Sequence, residues 1–263
     1  MICWLSLNEF HSSQGILENF MNADQYPISE IILISICIVG MMLYGYFSKK
    51  TDWTGSLSGG VIAFVIYFGT GLPGLIYFLL FFLLGSLASK WKYSKKFEMG
   101  FAQENQGRRT AVHAFCNAGA AAFFAMLILF DIDEELLHLS VACVFSAALS
   151  DTFSSEIGNV VGSKYFNVLT LKPDRRGKDG VVSLEGSLAG IMGSFIIALA
   201  FLIFNLHWMY FLLIFFSGLM ANLLDSILGA SLQKKGILNN HLVNLVSTFA
   251  AGLIGLTIGI GIT

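Results

Sequence analysis

Two carboxylates and four hydroxyls stand together in Ser150-Asp151-Thr152-Phe153-Ser154-Ser155-Glu156, directly after an apolar run from Leu139 to Leu149. A charge deep in a bilayer costs roughly 2.5–3.5 kcal/mol even on the lenient insertion scale, so it faces a cavity, a cation or a partner charge. A third carboxylate, Asp225, is isolated in another apolar segment and shares a helical face with Asn222 and Gly229. Arg109, His113 and Asn117 recur at i, i+4 and i+8, which puts them on one side of a helix. Asn240, Asn244 and Ser247 form a further polar series. Asp151 and Glu156 lie five residues apart and converge only if their helix ends or bends near Ser154.

Carboxylates with hydroxyls and amides suit Mg²⁺, a hard ion that prefers oxygen ligands. The segment Lys172-Pro173-Asp174-Arg175-Arg176-Gly177-Lys178-Asp179-Gly180 adds clustered cations and glycines. Free backbone amides and basic side chains make such a loop a candidate anion cradle. It is not a nucleotide-binding loop of the GxxxxGK[ST] kind. There is no His pair for zinc and no GxSxG elbow. The four cysteines show no CxxC spacing, and the three that lie in apolar helices read as small core residues. Carboxylates, Mg²⁺ and cations are the parts that phosphoryl or nucleotidyl transfer uses. An acceptor that is itself a phosphate needs no strong general base.

The chain that must position these groups has 263 residues, 56% hydrophobic and only 12% charged. Soluble domains carry about 25% charged residues, so the expected fold class is all-α, a polytopic integral membrane protein. Spans of roughly 20 apolar residues cross a bilayer core. They are expected near 28–48, 57–70, 73–89, 110–130, 136–152, 186–204, 208–230 and 241–261: about eight transmembrane helices, within a range of seven to nine. The second and third form a hairpin turning at Gly71-Leu72-Pro73-Gly74. Residues 1–27 are an N-terminal segment that could lie in the interface, and 28–263 form a single polytopic catalytic domain.

All 15 Lys and Arg fall at Lys49 and Lys50, Lys90 to Arg109, Lys164 to Lys178, and Lys234 and Lys235. With eight spans these lie on one face, which the positive-inside rule makes cytoplasmic. That face carries the long loops 90–109 and 157–185. The polar intramembrane residues lie in the same half. A transporter needs polar groups along a through-path, whereas a one-sided pocket under basic loops fits an enzyme acting on a lipid.

Several blocks carry a resemblance: Arg108-Arg109-Thr110-Ala111-Val112 leading to Asn117; Asp151 to Gly158; Gly177 to Gly186; Leu224-Asp225-Ser226-Ile227-Leu228-Gly229-Ala230; and Asn240 to Thr248. From about Gly55 to the C-terminus the chain resembles a membrane family that includes the plant phytyl-phosphate kinase of vitamin E synthesis. It is distantly similar to dolichol kinase and lipid cytidylyltransferases. The resemblance implies transfer of a phosphoryl group from CTP or another nucleoside triphosphate to an isoprenoid monophosphate, with Mg²⁺; the expected location is a bacterial inner membrane. Carried over by position, Asp151, Glu156 and Asp225 would hold metal. Lys172, Arg175, Arg176, Lys178, Asp179 and Gly180 would meet the nucleotide. Asp151, Glu156, Arg175 and Arg176 would be catalytic, and Arg109, Asn117, Asn222 and Asn244 would order site and substrate. Lys178, Asp179 and Val181 stand where the family pattern is of a Gly-Thr-Asn-Gly-Gly type, which leaves the donor nucleotide open. The expected partners are a prenyl-phosphate lipid, a nucleoside triphosphate and the bilayer, with no nucleic acid and a homodimer left open. A lipid cytidylyltransferase and a transporter without nucleotide chemistry are the alternatives.

Overall fold

The computed structural model describes residues 27–101, 107–130 and 132–262; the expected N-terminal segment falls almost wholly outside them. The helices are α1 (Ile28–Phe47), α2 (Trp53–Lys90), α3 (Tyr93–Glu98), α4 (Ala111–Ile128), α5 (Glu134–Val161), α6 (Leu184–Asn205), α7 (Trp208–Leu228) and α8 (Asn240–Gly259). A π-helical turn, Gly229–Gln233, continues α7. The antiparallel strands β1 (Tyr165–Asn167) and β2 (Val181–Ser183) pair with Phe166 opposite Val182. Among the described residues seven helices are long and apolar enough to cross a membrane.

One of the seven is a folded pair. As a straight rod the 38 residues of α2 would reach about 57 Å, nearly twice a bilayer core of about 30 Å. Gly71 breaks the rod at φ 64° and ψ −156°, a conformation open to glycine and almost nothing else. Pro73 follows, lacking the amide hydrogen a helix interior needs. The chain then doubles back, so that Gly55 in the first arm and Gly85 in the second both abut Arg109. Each arm reaches about 27 Å, enough for a separate crossing. The hairpin expected at residues 71–74 is therefore present, and counting its arms separately gives the expected eight crossings.

Helix α5 is the axis of the bundle. It packs on α2, α4, α6, α7 and α8, and nearly every residue from Leu136 to Ser150 is buried. Its start is fixed by Asp133, whose carboxylate accepts the Leu136 amide at 3.1 Å, an N-cap beside the positive end of the helix dipole. Small residues let neighbours close on it, as in membrane helix packing. Ser146 Oγ lies 2.8 Å from Ser194 Oγ and 3.0 Å from the Ile214 carbonyl oxygen, and its one proton serves one or the other. Ser194 donates to the Phe215 carbonyl at 2.6 Å.

The basic segments gather at one end. Lys90 Nζ donates to the Ser48 carbonyl at 2.7 Å, and the Arg109 amide donates to the Lys50 carbonyl at 2.9 Å. The other end is closed by contacts such as Tyr67 Oη to Glu30 and Tyr210 Oη to Glu135, each 2.8 Å.

Candidate functional site

A polar cavity of about 500 Å³ opens at the basic end, walled by α4, α5, α7, α8 and the loop between β1 and β2. Helix α4 contributes the expected stripe of Arg109, His113 and Asn117. Thr110 starts this helix: its amide donates to His113 Nδ1 at 3.3 Å, and its hydroxyl lies 2.9 Å from the same nitrogen. The Asn117 amide donates to the His113 carbonyl at 2.9 Å. The Arg109 guanidinium lies 4.6 Å from the Phe81 ring. Burial brings its pKa down to about 10, against the opposing charge of Glu156, so Arg109 is cationic at neutral pH.

Asp151 from α5 and Asp225 from α7 both line the cavity, two carboxylates from separate helices. Asp225 accepts from Ser247 Oγ at 3.1 Å. The amide of Asn244 completes its shell by donating to Asp225 at 3.3 Å and to the Asn240 carbonyl at 2.9 Å; the reverse orientation would turn its oxygen onto the carboxylate. Asp151 has no hydrogen bond or ion pair among the described residues. A half-buried carboxylate that shares a polar cavity with a second carboxylate calls for a cation. The residues thus fit a divalent ion. Among the described residues no group of three or more His, Cys, Asp or Glu could hold a metal. A pair suffices for Mg²⁺, which takes one or two carboxylates with water and substrate phosphates.

Glu156 does not join the pair. The sequence left open whether α5 ends near Ser154; it runs on to Val161. At 3.6 residues per turn, five positions are about 140° of rotation, so Glu156 leaves the cavity face. It is buried against the Lys96 ammonium of α3. Lys96, 1% exposed, also donates to the carbonyls of Ala88 at 2.8 Å and Ser89 at 3.2 Å. All three ammonium protons therefore have acceptors, and the pair ties α3 to α2 and α5.

The loop splits the expected nucleotide ligands. Lys178, Asp179 and Gly180 line the cavity, as does Asn222 of α7. Lys172 and Arg175 are exposed and are not on its wall. Arg176 is held instead between the rings of Phe101 and Tyr165, at 5.4 and 5.5 Å. Lys178 Nζ lies 2.6 Å from Asp174; that hydrogen bond holds the Asp174 carboxyl below the usual carboxylate range. Asp179 accepts from Gln233 Nε2 at 2.8 Å, which clamps the loop to the π-helical turn. Such turns recur at functional sites. His241, whose ring meets that of His113 edge to face at 4.9 Å, lines the cavity without having been singled out. Its position three residues before Asn244, on the same helical face, was the available signal.

Gly180 sits at φ +68°, and a methyl there would collide with Ala230. Gly180→Ala is expected to lift the loop from the turn at a cost of about 1–3 kcal/mol, the range for backbone strain. Thermal unfolding measures it, and unchanged stability would mean that the loop is not clamped to the turn.

The model of the family described as integral membrane protein DUF92 matches residues 36–252. Membrane protein MJ0933 of Methanocaldococcus jannaschii is 32% identical over 229 residues, covering 87% of this chain and 93% of that protein. Membrane protein sll0875 of Synechocystis is 36% identical over 243 residues, covering 90% and 92%. Protein VTE6, chloroplastic, of Arabidopsis thaliana is 30% identical over 214 residues, covering 76% of this chain and 64% of that protein. No solved structure matches the chain.

Proposed function

From the premise that the chain belongs to the DUF92 family of integral membrane proteins, we propose that it is a kinase of isoprenoid monophosphates. It would draw on CTP or another nucleoside triphosphate and form the prenyl diphosphate. The observation that carries this reading is the Asp151–Asp225 pair inside a polar cavity that also holds Arg109 and Lys178. The resemblance to the family of the plant phytyl-phosphate kinase supports the same chemistry.

An oxygen of the prenyl monophosphate, anionic at neutral pH, attacks the γ-phosphorus of the nucleotide. A new P–O bond forms as the bond between the γ-phosphorus and the β,γ-bridging oxygen breaks. The electron pair leaves with the nucleoside diphosphate. Asp151 and Asp225 would hold Mg²⁺, which when bound neutralises phosphate charge and aligns the reacting groups. Arg109 and Lys178 add positive charge on the phosphates. Asn222 and Asn244 hold the walls, Asn244 by orienting Asp225. By the positive-inside rule the basic face would lie in the cytoplasm, and the nucleotide would enter from there, in a bacterial inner membrane.

The test uses purified protein in lipid nanodiscs with geranylgeranyl monophosphate, Mg²⁺ and nucleotide labelled at the α- or γ-phosphate. A kinase moves the γ-label into a lipid diphosphate. A cytidylyltransferase moves the α-label and releases pyrophosphate. Label that never reaches lipid with any nucleotide or prenyl length overturns both. Nucleotide-independent uptake of solute into liposomes would then favour a transporter.

A further inference from the structure

Beside the polar cavity lies a second, apolar one of about 50 Å³, between α1, the two arms of α2, and α4. By comparison with the 10–15 Å³ that admits one water, it has room for about four groups of that size, on the scale of one isoprene unit. Its walls are side chains such as Met41, Met42, Phe78 and Phe82. Polar lining is confined to Thr51, Ser56 and Arg109. Apolar cavities of this kind stay dry and take apolar ligands.

Two features tie it to the site. Helix α4 presents His113 and Asn117 to the polar cavity, and Ala114 and Ala118, one residue further round, to the apolar one. Arg109, at the entrance to α4, lines both. A cation at the junction of a dry groove and a phosphate-binding cavity matches a molecule with an anionic head on a hydrocarbon chain.

We propose that this groove receives the head-proximal carbons of the prenyl chain, with Arg109 holding the phosphate where the two cavities meet. The rest of the chain lies in the bilayer. The assignment rests on the kinase reading for its substrate class. Gly59 is the position that reports on it. Side chains at Gly55 and Gly60 would strike Arg109 and Met42, whereas a Cβ at Gly59 meets nothing within 4 Å. A Cβ at Gly59 thus enters open space, and Gly59→Leu is expected to carry apolar bulk into the groove.

The experiment is photocrosslinking of the full chain in nanodiscs, using geranylgeranyl monophosphate with a diazirine on its first isoprene unit. Adducts are mapped by mass spectrometry. Adducts on Met41, Met42 or Phe82 are expected, reduced roughly tenfold in Gly59→Leu and retained in Gly59→Ala, with thermal unfolding checking the fold of both. In turnover, Gly59→Leu should raise KM for the lipid roughly tenfold and leave KM for the nucleotide unchanged. Adducts elsewhere, or an unchanged yield in folded Gly59→Leu, overturn the groove. Crosslinking needs no turnover. Adducts in the groove without phosphoryl transfer sink the kinase reading alone, and transfer without such adducts sinks the groove alone.

Discussion

Asp151→Asn is expected to slow phosphoryl transfer by roughly a hundred- to a thousandfold, the effect of removing one preorganised electrostatic group from an active site, with little change in stability. Asparagine keeps the shape of the side chain and removes its charge. Asp151 has no hydrogen bond or ion pair among the described residues for the amide to break, and it shares the cavity with the Asp225 carboxylate. Losing it should relieve repulsion in the metal-free protein while weakening the hold on a divalent ion. Steady-state kinetics with a Mg²⁺ titration, beside thermal unfolding, separates the two effects. Near wild-type turnover at saturating Mg²⁺ would mean that this carboxylate is not part of the chemistry.

The second large effect falls on stability. Glu156→Leu leaves the Lys96 ammonium buried with two carbonyl acceptors and no counter-charge. Breaking a buried pair from one side costs about 3–5 kcal/mol, whereas replacing both members by apolar groups is often neutral. Denaturant unfolding in detergent should therefore show Glu156→Leu strongly destabilised and Lys96→Met/Glu156→Leu largely restored. The double variant should also keep its turnover. A stable but inactive Glu156→Leu would return Glu156 to the metal site and contradict its placement.

These two residues also mark where the sequence is legible. Asp151, Asp225, Asn117, Asn222 and Asn244 stand out because an ionised or amide group inside an apolar helix needs a reason to be there, and the cavity joins all five. The hairpin is readable at Gly71-Leu72-Pro73-Gly74 because glycine and proline there make a continuous helix costly. The direction of Glu156 was not readable. It depended on whether α5 outlasts its apolar run, and the segment beyond Asp151 is too polar for hydropathy to mark as helix. Lys96 was hidden in a run of lysines that looks like an ordinary topology anchor. Cations in the 172–178 loop could be counted but not aimed. The β1–β2 pairing and the rings around Arg176 decide that Lys178 faces the cavity while Lys172, Arg175 and Arg176 are off its wall.

The most direct test of the central claim is electron paramagnetic resonance of Mn²⁺ bound in place of Mg²⁺, recorded with nucleoside triphosphate present. The predicted result is one tightly bound ion showing phosphorus hyperfine coupling from the nucleotide, lost in Asp151→Asn and in Asp225→Asn and kept in Lys96→Met/Glu156→Leu. Bound Mn²⁺ with the same coupling in both aspartate variants would contradict it, because the ion would then sit somewhere other than between α5 and α7.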